Sequence, residues 1–351
     1  MFWKIMNRME GVKIFINDEE NGWYVHGIPG MGVDVLSSSS HLMTMIKEIA
    51  PKEVVLVGPS MGAYAAMLYG SIISPRMPEI RFRCLSFGGE FLLYGRETKS
   101  KSLAGKPRNL WYADIRSILA TSGLEVTHVY GDDDVNDIFQ ASLVHGMENV
   151  RLVSVRNAPH AVSTYLGQNY NLTNIIKSYE QNGCFEIECE SDISKLKGHG
   201  ALLYHGHILM LDKKPTEALE KLRKAVLLAP THALSHHKYG LALIMERQES
   251  LALHHQEKAI SLNPSLAHAH FHIAQISQGM GNVEKALSHY ADCIMIDEHH
   301  VRALFEISKL KQSIGDYESA KKHANSILGI DPANVRAKAL IKELESIAPP
   351  R

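Results

Sequence analysis

The second half of this chain repeats with a period of about 34 residues, a length typical of stacked helical repeats. Pro230 and Pro264 lie one period apart, Pro332 follows two periods later, and Glu298 stands where the series predicts a further proline. Two more phases hold small residues in all four periods: Ala218, Ala252, Ala286 and Ala320 in one, and Gly206, Gly240, Ala274 and Ser308 in the other. Two helices can approach closely only where side chains are small, so this pattern predicts a stack of helix pairs.

The repeat resembles the tetratricopeptide repeat, in which a proline ends the second helix of each pair. We predict helix pairs at residues 197–230, 231–264, 265–298 and 299–332, followed by a capping helix at 333–348. His236 and His270 occupy positions where the family often has large aromatic side chains. This departure affects how the packing holes are filled, not the repeat itself.

The resemblance also implies a binding surface, because the first helix of each pair lines a concave face that commonly holds a peptide segment. The residues that it assigns to this face are Leu203, His207, His237, Leu241, His268, Phe271, Gln275, Arg302, Phe305 and Lys309. The face lacks the regular lysine and asparagine set of chaperone-binding members. Because this face commonly binds peptides in the family, the resemblance implies a protein partner or a macromolecular substrate. The alternative is that the repeats merely dock on the rest of the chain.

The N-terminal half shows a different pattern, in which apolar strand-like runs alternate with helical ones. The strand-like runs are VKIFI (12–16), WYVHGI (23–28), VVLV (54–57), RFRCLSF (81–87), VTHVY (126–130) and VRLVSV (150–155). Strands separated by helices indicate βαβ units and a mostly parallel sheet with flanking helices. The predicted domains are therefore an α/β domain at 1–182, a linker at 183–196 and an all-α repeat solenoid at 197–351.

The segment GPSMG, residues 58–62, places Ser60 between the run VVLV and an alanine-rich helical run. A serine on a sharp strand-to-helix turn can act as a nucleophile, and the two glycines let strand and helix pass close together. The alternative is an ordinary tight turn. Such a serine also needs a base and an acid that orients the base.

Strand ends later in the chain supply both. GDDDVND follows the run VTHVY, and His160 follows VRLVSV, so serine, acid and histidine occur in the order of the α/β-hydrolases. Residues 10–180 resemble that family. The resemblance implies that Ser60, Asp134 and His160 form a catalytic triad, with Asp133 as the alternative acid, and that the Met61 N–H is one oxyanion donor. The second donor is predicted near residues 17–20, with the loop in WYVHGIPGMG as the alternative.

These features favour a serine hydrolase, most simply an esterase, acting on an acyl-ester small molecule or an acylated glycan or peptide. The same triad could serve an acyltransferase. The alternative of another class is a non-catalytic interaction scaffold with a degenerate hydrolase domain. The basic segment 95–108 could place positive charge at the mouth of the site or could be a solvated loop.

Composition restricts the remaining options. The net charge of −1 gives no general attraction to nucleic acid, and no apolar run is long enough to span a membrane. The four cysteines (Cys84, Cys184, Cys189 and Cys293) are expected to be free thiols in a cytoplasmic protein, with Cys184 and Cys189 leaving a weak metal or redox option. No cofactor and no metal site are expected, and the 20 histidines are interpreted as structural or surface residues.

Overall fold

A computed structural model describes residues 5–17, 23–94, 100, 111–185, 187, 192–196 and 198–347. By packing, the chain divides into two compact units, Met1–Tyr204 and His205–Arg351. This division falls beyond the predicted linker at 183–196 and lies inside the first repeat helix.

The N-terminal unit alternates helices and strands. Its elements in chain order are α1 (Val35–Ile49), β1 (Glu53–Pro59), α2 (Met61–Ile73), β2 (Arg81–Phe87), α3 (Arg116–Ala120), β3 (Leu124–Gly131), α4 (Val135–Leu143), β4 (Val150–Val155), α5 (Val162–Asn169) and α6 (Leu172–Asn182). Short 3₁₀ turns lie at Ser74–Arg76 and Ile193–Lys195.

The four strands form one sheet in the order β1-β2-β3-β4, and every neighbouring pair is parallel. Four of the six predicted strands are therefore confirmed, as is the parallel sheet. A small parallel sheet with flanking helices is shared by several α/β folds, so the hydrolase assignment of this unit stays an interpretation.

The predicted strands at 12–16 and 23–28 are wrong. Residues 12–16 form no ladder with any other described residue, and residues 23–26 form a turn in which Trp23 and Tyr24 have φ of 57° and 59°. Trp23 and Val25 are nonetheless buried, with relative exposures of 1% and 2%. The apolar residues of this segment are therefore explained by burial and not by pairing in a strand.

Both faces of the sheet are covered. On β2, Phe82 and Cys84 pack in a core with α2 and α1, whereas Leu85 and Phe87 pack in a second core with α5 and α6. This division follows from the alternation of side chains along a strand. Ser60, Asp134 and His160, the residues of the predicted site, come after the carboxyl ends of β1, β3 and β4.

The C-terminal unit is helical. The first helix given below begins before the division at Tyr204 and ends after it. The helices are α7 (His199–Leu211), α8 (Pro215–Leu228), α9 (Ala233–Met245), α10 (Glu249–Leu262), α11 (Ala267–Gly279), α12 (Val283–Ile296), α13 (Val301–Ser313), α14 (Tyr317–Ile330) and α15 (Val335–Ile347). Two of these helices lie in each of the four predicted pair ranges, and α15 lies in the range of the predicted capping helix.

The small residues of the repeat lie where the helices cross. Ala218, Ala252, Ala286 and Ala320 are each 0% exposed. A Cβ added at Gly206 would come within 2.5 Å of the Leu222 side chain on the partner helix. The periodic alanines and glycines are therefore packing residues, as the sequence predicts. Among the described residues, no helix has the length and apolar character needed to cross a membrane.

Candidate functional site

Ser60 occupies the turn between β1 and α2. Its backbone has φ 48° and ψ −116°, a conformation that is unfavourable for a residue with a Cβ. The Ser60 N–H donates to the Phe87 carbonyl at 2.8 Å, and the Ser60 carbonyl accepts from Ala63 and Tyr64. The surrounding hydrogen bonds hold the strained turn in place at the end of the sheet.

Gly58 makes this turn possible because the backbones of strand and helix touch there. A Cβ on Gly58 would lie 2.3 Å from the carbonyl carbon and oxygen of Gly62 and 2.6 Å from the Ala63 nitrogen. By contrast, a Cβ on Gly62 would meet the Pro59 side chain at 3.5 Å, an ordinary contact. The two glycines of the motif are thus unequal, and the first one is sterically required.

His160 lies in the loop between β4 and α5, and it reaches the serine. Its Nε2 is 3.1 Å from Ser60 Oγ, although the two residues are 100 positions apart in the chain. The loop comes close to the end of β3, where a Cβ on Gly131 would be 2.1 Å from the Ala158 carbonyl oxygen. The sequence prediction that Ser60 and His160 lie together agrees with this geometry.

The acid in contact with His160 is Asp137. Its Oδ1 lies 2.6 Å from His160 Nδ1, and its side chain is 3% exposed, against 25% for the histidine. A buried carboxylate at this nitrogen fixes the imidazole tautomer with Nε2 free to accept a proton. Serine, histidine and aspartate therefore form a continuous line of hydrogen bonds.

This placement corrects the predicted acid, because the structure gives Asp134 another contact. Asp134 is the N-cap of α4, and its carboxylate accepts from the N–H groups of Asn136 and Asp137. Asp133, the predicted alternative, has its Oδ1 2.6 Å from His199 Nδ1. The family spacing after Gly131 points to Asp134, whereas the residue that contacts His160 is Asp137, in the first turn of the helix that Asp134 caps.

Gly88 and His128 also lie near Ser60, His160 and Asp137. Gly88 has φ +59°, and a Cβ there would lie 3.0 Å from the His160 carbonyl oxygen and 3.4 Å from Asp137 Oδ2. His128 Nδ1 is 2.9 Å from Ser86 Oγ. Complete burial, with a smaller effect of nearby His160, lowers the pKa of His128 to about 3, so this imidazole is neutral.

Met61 is the first residue of α2, where the N–H groups have no partner within the helix. This is the position that an oxyanion donor needs next to Ser60. The second predicted donor falls near residues 17–20, of which 18–20 lie outside the described residues.

The basic segment 95–108 also lies outside the described residues, apart from Ser100, and so does Cys189. The other three cysteines, Cys84, Cys184 and Cys293, are free thiols.

The predicted repeat surface is divided between exposed and buried side chains. Leu203, His207, His237 and Phe271 are buried. His268 and Arg302 are exposed, and Leu241, Gln275, Phe305 and Lys309 are partly exposed. The Arg302 guanidinium lies over the Phe271 ring at 4.8 Å, and Arg336 lies over Phe305 at 4.2 Å. The fully exposed side chains of this set are therefore polar or cationic, and its apolar side chains are at most partly exposed.

The model of the tetratricopeptide repeat matches residues 267–300 and 301–334, which are α11 to α14 with their loops. These residues are tetratricopeptide repeats. No protein with a curated description matches the chain.

Several solved structures are similar to parts of the chain. A crystal structure of MamA protein is 28% identical, covering 38% of this chain and 73% of that one, with a TM-score of 0.36. YrrB, described as a TPR protein with an unusual peptide-binding site, is 18% identical over 60% of this chain and 93% of its own, with a TM-score of 0.38. PilF of Pseudomonas aeruginosa is 16% identical over 53% and 81%, with a TM-score of 0.40. With TM-scores below 0.5, these likenesses carry no weight for fold or function.

Proposed function

We propose that the chain is a serine hydrolase, most simply an esterase, whose tetratricopeptide repeats bind a protein partner or a macromolecular substrate. One observation carries the catalytic part: the strained Ser60 lies 3.1 Å from His160, which lies 2.6 Å from the buried Asp137. The comparisons support the repeats and do not bear on the hydrolysis. A cytoplasmic location stays a prediction.

The proposed chemistry uses each member of this line. Ser60 Oγ attacks the acyl carbonyl carbon while its proton passes to His160 Nε2, and the Asp137 carboxylate stabilises the imidazolium. His160 then gives the proton to the departing alcohol, leaving an acyl-serine. Water attacks the acyl carbon as His160 Nε2 takes its proton, and His160 then returns that proton to Ser60 Oγ as the bond to the acyl carbon breaks and the carboxylic acid is released. The Met61 N–H would stabilise the negative charge on the carbonyl oxygen.

A fluorophosphonate probe tests the proposal, since it reacts with activated serines. We expect the full-length protein to be labelled, and Ser60→Ala to abolish the labelling. Ser40→Ala, at an exposed serine of α1, is the matched control and should label as the unaltered protein does. Folded protein that fails to label, or a Ser60→Ala variant that labels normally, would overturn the proposal.

The second candidate is a non-catalytic interaction scaffold, which the tetratricopeptide-repeat match favours. It predicts that labelling fails while a protein partner still binds. An acyltransferase would label at Ser60 like a hydrolase, but adding an alcohol or amine acceptor would divert the acyl group from water. Product analysis with and without the acceptor separates these two activities.

A further inference from the structure

Two repeats contain the same contact between histidines. His236 Nδ1 on α9 lies 3.0 Å from His255 Nδ1 on α10. One period later, His270 Nδ1 on α11 lies 3.0 Å from His289 Nδ1 on α12. The pairing crosses from the first to the second helix of each repeat, with the nitrogens facing each other.

The later pair has an additional neighbour, a carboxylate. Asp292 Oδ2 lies 3.5 Å from His270 Nδ1 and 3.7 Å from His289 Nδ1. Asp292 follows His289 by three positions on α12, so the two side chains share one helix face. In the earlier repeat the equivalent position, one period before, is Lys258. The two repeats thus form a natural comparison, with and without a carboxylate.

We propose that His270, His289 and Asp292 bind a divalent transition-metal ion of the zinc type. Nitrogen and carboxylate ligands about 2.0–2.2 Å from a tetrahedral zinc ion lie roughly 3.3–3.5 Å from one another. The three atoms here are separated by 3.0, 3.5 and 3.7 Å. A displacement of a few tenths of an ångström would therefore complete the ligand triangle.

The tautomer of His270 suits this role. Its Nε2 lies 3.2 Å from the Pro264 carbonyl oxygen, which can only accept a hydrogen bond. The proton of the neutral ring is then on Nε2, and the lone pair is on Nδ1, the nitrogen that faces His289 and Asp292. Metal-binding histidines are commonly oriented by such a bond from the second ring nitrogen to a backbone carbonyl.

The three proposed ligand side chains differ in their exposure to solvent. The His270 side chain is buried, His289 is less so, and Asp292 is 38% exposed. An ion could enter from the Asp292 side. Three protein ligands also leave a position for water, as in open zinc sites. No short motif marks this group in the sequence, because His289 and Asp292 lie on the other helix of the repeat, 19 and 22 positions after His270.

Zn²⁺ titration of the full-length protein against a chromophoric chelator tests the proposal. We expect the protein to bind one equivalent of Zn²⁺ tightly. Asp292→Asn should weaken the affinity for this ion at least about tenfold. His255→Gln, in the repeat that lacks the carboxylate, should leave that equivalent unchanged. Mg²⁺ should not compete, since it prefers oxygen ligands. Far-UV circular dichroism should show the same helix content in all three proteins.

Co²⁺ provides a second readout, because its visible absorption reports the ligand geometry. We expect a saturable absorption band for the unaltered protein and its loss in Asp292→Asn. Two outcomes would overturn the site: Zn²⁺ affinity that is equal in Asp292→Asn and the unaltered protein, or the absence of any saturable equivalent. Either would leave a hydrogen-bonded histidine pair like the one at His236 and His255.

Discussion

At the scale of single residues, Asp134 and Asp137 show how one helical turn separates two roles. Asp134 caps α4 by accepting backbone N–H bonds, and Asp137 contacts His160 from inside the same helix. Both are aspartates at the same strand end. Their contacts therefore predict effects of very different size on kcat when each aspartate is replaced by asparagine.

Asp137→Asn should lower kcat for ester hydrolysis by about 10⁴-fold, because the amide no longer fixes the reactive imidazole tautomer. Asp134→Asn is the matched control and should change kcat by no more than a few fold, since asparagine also caps helices well. The measurement is initial rates on a chromogenic ester, with urea unfolding to confirm that both variants fold. If Asp134→Asn has the larger effect on kcat, the assignment of the acid is wrong.

The sequence predicted the contact between Ser60 and His160 because both lie at strand ends, and parallel strands bring those ends together. It did not predict the acid. Several aspartates follow β3, and their roles depend on the residue at which α4 begins. Helix starts are uncertain by a residue or two in any sequence pattern, and here such a shift changes which carboxylate caps and which faces His160.

At the scale of elements, β1 and α2 can pass close together only because Gly58 has no Cβ. The closest approach is between backbone atoms, which cannot move aside as a flexible side chain can. Strand and helix must therefore separate if a methyl group is added there.

Gly58→Ala should destabilise the N-terminal unit by about 1–3 kcal/mol or more, as expected for an overpacked site. It should also displace Ser60 and abolish fluorophosphonate labelling. Gly62→Ala, in α2, should be tolerated or slightly stabilising, because alanine favours the helix and its methyl group would lie at an ordinary contact distance of 3.5 Å from the Pro59 side chain. Urea unfolding of the two variants compares them directly, and equal stabilities would show that the crossing is looser than described.

A gain of function tests the metal proposal within one repeat. Lys258→Asp would place a carboxylate beside His236 and His255, in the position that Asp292 has one period later. The Zn²⁺ stoichiometry should rise from one to two equivalents. A stoichiometry that stays at one would show that a carboxylate at this position is insufficient to complete the site.

The elements themselves were predicted unevenly, for a physical reason. The repeat helices follow from a sequence period that occurs four times. A single residue that differs from the family pattern, such as His236, therefore does not obscure the period. The residues from Trp23 to Ile28 have the apolar character of a strand, but the left-handed φ of Trp23 and Tyr24 directs them into a turn. Burial alone does not distinguish a strand from a buried turn.

At the scale of the whole molecule, each unit contains a buried neutral histidine. Burial, assisted by nearby His160, lowers the pKa of His128 to about 3. In the repeats, burial and then nearby His237 lower the pKa of His272 to about 3. The unfolded chain binds protons at these histidines more readily than the folded protein does.

Both units should therefore lose stability on acidification. Each histidine contributes stability that is fully present above the unfolded pKa of about 6.5 and is lost as the pH falls toward the folded value. Between pH 7 and pH 5 each should reduce the free energy of unfolding by about 2 kcal/mol. Urea unfolding at the two pH values measures this loss.

His128→Gln and His272→Gln should each flatten this dependence in their own unit, while His299→Gln, at an exposed position, should not change it. An unaltered pH slope in both buried-site variants would assign the acid sensitivity to other groups.

The start of α7 has a consequence for any attempt to isolate the N-terminal half. His199 bonds to Asp133, and a Cβ on Gly200 would lie 2.4 Å from the Asp132 carbonyl oxygen, so the first turn of α7 lies directly against the loop that leads to Asp137. A gene fragment ending at residue 182 would remove this cover and leave the loop exposed to proteases. A fragment that continues through Tyr204 keeps it, and limited proteolysis should find the shorter polypeptide cut near Asp133 and the longer one intact there.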